Sequence, residues 1–128
     1  MRDDTQSTSA PALLAWAGLT GAAGVALAAV AAHRIESPAL ATAATMLMIH
    51  AAAAVAMTAA SSGTGLGRAG RVVAGLMLAA VALFSGDVTM HALTGNHVFP
   101  YAAPTGGSAL IACWLGFAVV CMFARLRR

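Results

Sequence analysis

Four long apolar stretches dominate the chain, at residues 12–32, 39–60, 72–94 and 105–124. Each reaches the roughly 20 apolar residues that a helix needs to cross a bilayer. Polar residues gather between them in short connectors such as Ser61-Ser62-Gly63-Thr64-Gly65. The stretches do not alternate with period two, and Ala, Leu and Met dominate them, which argues against strands. In lipid every backbone polar group must bond within its own segment, so such runs are helical. A buried hairpin of a soluble bundle would need a polar face, and these runs have none. The pattern therefore predicts an all-α membrane protein, a compact bundle of four transmembrane helices with both termini inside. Residues 12–124 form the single domain. Residues 1–11 are expected to be a loose cytoplasmic tail, and residues 125–128 a basic one.

Composition strengthens this reading. Hydrophobic residues make up 60% of the chain and charged residues 9%, against about 25% charged in soluble domains. Mean hydropathy is +0.83. All seven basic residues are arginines. With the N-terminus inside, Arg2, Arg68, Arg71, Arg125, Arg127 and Arg128 lie on the cytoplasmic side and Arg34 alone lies outside, a strong positive-inside bias. The isoelectric point near 9.7 then reflects topology or attraction to anionic lipid, not nucleic-acid binding. A cleaved signal peptide fits poorly: the first apolar run is too long, and Asp3 and Asp4 spoil a positive leader. Cys113 and Cys121 stand eight residues apart on the fourth span, ~12 Å along a helix. That is too far for a disulfide, so both read as small buried hydrophobes.

The first span carries Gly18-x-x-Gly21-x-x-Gly24, with Ala22, Ala26 and Ala29 nearby, and the second holds four alanines at 51–54. Small residues let helix backbones approach where no hydrophobic effect joins them. The first and second helices are accordingly expected near the bundle centre, although the same pattern fits contact between copies. Trp16, Phe99 and Tyr101 suit interfacial belts. Trp114 falls in mid-span, where its indole N–H needs a partner. Pro104 before Thr105, Gly106 and Gly107 reads as the start of the fourth helix.

Few residues offer chemistry. Asp87 is the costliest, since a carboxylate deep in a bilayer must face the protein interior and find partners. His91 lies four residues on, hence on the same helix face, with Ser85 and Thr89 nearby. The free N–H groups at the start of the fourth helix are natural partners for the carboxylate. Asp87 and His91 then read as an ion, proton or metal site, or as a pin tying the third helix to the fourth. His50 lies among Ala, Ile and Met as a neutral imidazole bonded to a neighbouring helix, or as a proton relay or cofactor ligand. His33 is expected at the interface beside Arg34 and Glu36. Asp87, His91, His97 and His33 come from three segments without diagnostic metal spacing, so neither metal nor cofactor is expected. Met46, Met48, Met57, Met77, Met90 and Met122 read as packing. No catalytic triad order, HExxH or P-loop is present. Gly63-Thr64-Gly65-Leu66-Gly67 lacks the preceding strand of a phosphate loop. Two two-helix halves exist without a convincing repeat between them.

Three stretches resemble the domain-of-unknown-function 423 family of small membrane proteins, which includes the YgdD-like and transmembrane protein 256-like proteins. One is the Gly/Ala-rich run from Gly21 to His33. Another runs from Thr42 to Ala51 around His50. The most specific joins Leu83-Phe84-Ser85-Gly86-Asp87, Ala92-Leu93-Thr94-Gly95, Pro104-Thr105-Gly106-Gly107 and Trp114. The resemblance implies four spans in one compact unit. It marks His33, His50, Ser85, Gly86, Pro104, Gly106 and Gly107, and carries no activity with it. The chain departs from the family pattern at Asp87, Val88, Thr89 and His91, where a carboxylate and an imidazole are added.

The expected function is that of a non-enzymatic accessory or structural component of a bacterial inner membrane. Its expected partners are the lipid bilayer and its own copies or a larger membrane complex. The alternative is a small proton or metal-ion transporter using Asp87, His91 and His50.

Overall fold

The computed structural model describes residues 4–63 and 65–126, and of residues 4–9 the backbone alone. The described residues form four helices and no strand: α1 (Asp4–His33), α2 (Pro38–Gly63), α3 (Gly67–Thr94) and α4 (Ala102–Leu126). All four hold apolar stretches of at least 24 residues, or ~36 Å of helix, which exceeds the ~30 Å of a bilayer's hydrocarbon core. The connectors are short, so successive helices run antiparallel. One end of the bundle carries the α1–α2 and α3–α4 loops. The other, the terminal end, carries the start of α1, the end of α4 and the α2–α3 turn.

Several boundaries differ from expectation. The segment expected as a loose tail over residues 1–11 is helical from Asp4 and includes Pro11, while residues 1–3 lie outside the described residues. The third helix begins at Gly67, five residues before the apolar run. The fourth begins at Ala102, so Pro104 sits inside its first turn and does not open it. A proline is tolerated there because the first four N–H groups of a helix have no partner within it. These overhangs are helical turns beyond the lipid-facing stretch, which hydropathy does not register. Of the basic tail, Arg127 and Arg128 lie outside the described residues.

The centre of the bundle also differs. Over an 18-residue apolar segment of each helix, 39% of residues are buried within the protein in α2 and in α3, against 11% in α1 and in α4. The central pair is therefore α2 and α3, not α1 and α2. Met57, Met77 and Val81 fill the core between them, while Met90 and Met122 are exposed. Helix α1 packs on both α2 and α3, and α4 packs its backbone on α3 alone.

Small residues set these contacts. A Cβ placed on Gly24 would lie 3.1 Å from the Ala44 carbonyl oxygen and 2.7 Å from Met48 Cγ, and one on Gly21 would touch Ala51 at 3.6 Å. The glycines of α1 thus dock on the alanines of α2. Gly18, by contrast, faces open space. Between α3 and α4 the approach is closer still: a Cβ on Gly106 would lie 2.6 Å from the Phe84 backbone nitrogen. The Gly63–Gly67 stretch, apart from Thr64, which lies outside the described residues, is a tight turn. Gly65 and Gly67 take φ of +79° and +53°, which glycine adopts without a Cβ penalty.

Six hydroxyls of the helices bond back to their own helix. Thr20, Thr42, Thr45, Thr58, Ser61 and Thr94 each donate to the carbonyl four residues earlier, at 2.6–2.9 Å. Such bonds hide a polar group that lipid cannot satisfy. Both cysteines are free.

Candidate functional site

The polar residues singled out by sequence fall into separate groups. Asp87 lies in the penultimate turns of α3 and is fully buried, at 0% exposure. Its Oδ1 accepts the Val98 N–H at 2.7 Å. Its Oδ2 accepts the Ala103 N–H at 3.2 Å and the Nδ1–H of His97 at 2.9 Å. Three N–H donors converge on one carboxylate, a set the ionised form meets with no proton of its own. Ala103 belongs to the first turn of α4, whose free N–H groups and helix dipole favour a negative charge. The carboxylate therefore joins α3, the 95–101 loop and the start of α4.

That loop is shaped to reach back. Gly95 ends α3 in the left-handed conformation, with φ +75°, and its N–H bonds the His91 carbonyl at 2.8 Å, a common glycine helix stop. Tyr101 enters α4 with φ +68°, a region a tyrosine seldom adopts. Its carbonyl accepts the first bond of α4, from Thr105 N–H at 2.9 Å. Nothing in the residue types of the loop announces this conformation at Tyr101.

His97 itself is half exposed, and its ring stacks on that of His91 at 4.2 Å between centroids and 9° between planes. His91 is exposed in the last turn of α3. The structure thus brings Asp87, His97 and His91 into one group at the loop end. His33, exposed in the last turn of α1, takes no part in it. Among the described residues no set of three His, Cys, Asp or Glu side chains is placed to hold a metal ion. The carboxylate–imidazole pair has no hydroxyl or thiol bonded to it, so a nucleophilic triad is incomplete among these residues.

The second group lies at mid-bundle. His50, 5% exposed, bonds the Met46 carbonyl through Nδ1 at 2.8 Å. Its Nε2 accepts the indole N–H of Trp114 at 3.3 Å. An indole can only donate, so Nε2 carries the lone pair and Nδ1 the proton. Both nitrogens of a neutral imidazole are therefore engaged.

Ser85 is buried, and its hydroxyl donates across the helix interface to the Ala43 carbonyl at 3.1 Å. Of the glycine and proline positions, Gly106 makes the close approach to Phe84, and a Cβ on Gly107 would meet its ring at 3.6 Å. Gly86 and Pro104 are exposed. Sequence reasoning missed Val98 N–H as a ligand of Asp87 and Phe84 as the surface under Gly106. A backbone donor leaves no mark in residue identity, and an aromatic in an apolar run looks like any lipid-facing side chain.

Four apolar helices of spanning length, tied by bonds between buried polar groups, define an integral multi-pass helical membrane protein. A family model described as protein of unknown function, DUF423, matches residues 21–107. The chain belongs to that family. The match takes in the second half of α1 from Gly21, all of α2 and α3, and the first turns of α4, ending before Trp114. Comparison with curated proteins and with solved structures gave no match.

Proposed function

We propose that this protein is a non-enzymatic accessory or structural component of the bacterial inner membrane, with both termini in the cytoplasm, that works by packing against its own copies or a larger membrane complex. One observation carries the reading: among the described residues, three of the five buried polar side chains hold one helix to another, and the other two, Thr58 and Ser61, bond their own helix. Ser85 ties α3 to α2, His50 ties α2 to α4, and Asp87 ties α3 to the start of α4. Among the described residues no buried side-chain N or O lacks a partner. The orientation rests on Arg68, Arg71 and Arg125 lying at the terminal end, opposite Arg34.

Affinity purification in mild detergent from the native membrane, with mass spectrometry and metal analysis of the same sample, tests the reading. A stoichiometric complex or homo-oligomer supports it. Monomers recovered without a partner, after native crosslinking, sink it. Reporter fusions at each terminus test the orientation.

The exposed His91–His97 stack over a buried carboxylate favours a second reading, a small proton or metal-ion transporter using Asp87, His91 and His50. The engaged nitrogens of His50 weigh against a relay through mid-bundle. Flux into liposomes that Asp87→Asn and His50→Ala leave unchanged would dismiss those residues as its carriers.

A further inference from the structure

Helices α3 and α4 approach closely near the loop end, where a Cβ on Gly106 would run into the Phe84 backbone. Toward the terminal end a seam stays open between them. One part is an apolar cavity of about 500 Å³, lined by residues such as Val73, Leu76, Leu83, Ala112 and Gly116. The next part, of about 200 Å³, is lined by residues such as Leu66, Ala69, Val119 and Phe123. Positions 69, 73, 76 and 80 on α3, and 112, 116, 119 and 123 on α4, recur every three or four residues. Each set is one face of its helix, so the two cavities are successive parts of a single seam. From Ala69 to Leu83 it runs ~21 Å along α3, more than one leaflet of a hydrocarbon core ~30 Å thick.

The seam reaches the end of the bundle that is rich in arginine. Arg68 precedes Ala69, Arg125 follows Ala124, and both are exposed. No acidic residue stands in the first turn of α3 or anywhere in α4. The surface therefore pairs a long apolar slot with positive charge at one mouth. An amphiphile with an apolar tail and an anionic head complements both parts.

We infer that the α3–α4 seam holds an acyl chain of an anionic phospholipid, whose phosphate is held at the terminal end by Arg68 and Arg125. The guanidinium fork matches phosphate oxygens in pairs. The arginine stems run along apolar surface while their heads reach the headgroup level. The chain gives the seam walls the dispersion contacts that an open slot lacks. A neutral lipid fills the same slot but gains nothing from the arginines.

Native mass spectrometry of the full chain, released from mixed micelles of phosphatidylglycerol and phosphatidylcholine with matched chains, tests this. The wild type is expected to retain one phosphatidylglycerol in preference. Arg68→Gln and Arg125→Gln are each expected to lower that retention about fivefold, the usual effect of one basic residue at an anionic surface. Gly116→Leu is expected to lower it by filling the slot. A Cβ at Gly116 meets nothing within 4 Å, so the fold should persist, as an unchanged circular-dichroism melt would verify. Equal retention of the two lipids by the wild type overturns the inference. So does a Gly116→Leu protein that keeps its lipid while the arginine variants lose theirs, because the lipid then sits on the helix ends alone. A lipid-free dimer that Gly116→Leu converts to monomer also overturns it, and gives the seam to a second copy.

Discussion

Trp114 on α4 donates its indole N–H to His50 on α2 across 3.3 Å, joining two helices whose backbones do not pack on each other. The rings meet edge to face, with centroids 6.2 Å apart and planes at 61°. The bond fixes the imidazole tautomer and gives α4 a second hold besides α3.

Trp114→Phe should therefore cost about 1 kcal/mol, in the range measured for hydrogen bonds between membrane helices. His50→Ala should cost more, about 2 kcal/mol, because it also leaves a buried void and an unmatched donor. The two losses should not add. Unfolding in mixed detergent of the single and double variants measures the coupling. Strictly additive losses would show that the pair is not a working contact.

Asp87 accepts three N–H groups, two of them from the backbone of the loop and of α4. Asp87→Ala leaves Val98 and Ala103 without their acceptor, and should lower stability by about 3 kcal/mol, as for loss of a charged partner to buried donors. Asp87→Asn keeps one oxygen and should cost less. The loss should concentrate in the 95–101 loop, so proteolysis and amide exchange there should rise before the rest of the bundle loosens. His97→Ala should be milder, since His97 is half exposed and both backbone bonds remain. An Asp87→Ala protein that melts like the wild type, with a protected loop, would refute the pin.

The glycines of α4 divide by what lies above them. Gly106→Ala sets a Cβ 2.6 Å from the Phe84 nitrogen and 2.9 Å from its Cα. Backbone cannot yield as a side-chain tip does, so α3 and α4 must separate, at about 1–3 kcal/mol. Gly107→Ala meets only the edge of the Phe84 ring, at 3.6 Å, and should be tolerated. Gly86→Ala meets open space and should stabilise by about 0.5–1 kcal/mol, the helix preference of Ala over Gly. Thermal melts of the three variants in one detergent should rank them in that order. Equal melts for Gly106→Ala and Gly107→Ala would rule out the close approach.

The four spans were legible because bilayer thickness fixes a length of apolar chain, and the length is written directly in residue types. The burial pattern was not. In a soluble helix the core face differs from the wet face in polarity. Here lipid and core are both apolar, so Leu76 at 57% exposure and Met77 at 0% look alike in sequence. That is why α3 could not be read as a central helix and α1 was placed there instead. Polar residues kept their signal. Asp87 in an apolar run implies partners, and the indole of Trp114 implies an acceptor, but which residue answers each depends on the helix arrangement. The family pattern marked Ser85 and Gly106 without saying that one bonds the Ala43 carbonyl and the other rests on Phe84.

The glycine line of α1 separates internal packing from external association. Gly24 lies against Ala44, Leu47 and Met48, whereas Gly18 faces open space. Ala22 and Ala26 continue from Gly18 at four-residue spacing and are exposed, so this second line points away from α2. If the protein acts by packing against its own copies or a partner, small residues on such an outward face permit a close approach of backbones. Gly24→Leu should then destabilise the folded chain by at least about 1–3 kcal/mol through overpacking. Gly18→Leu and Ala22→Leu should leave the melt within about 0.5 kcal/mol of wild type, as for surface changes generally. Crosslinking in native membranes completes the test. Loss of the crosslinked species in Ala22→Leu with an unchanged melt identifies the outward face of α1 as the packing surface. Crosslinking that survives both outward substitutions removes α1 from that role and leaves the faces of α3 and α4 to carry it.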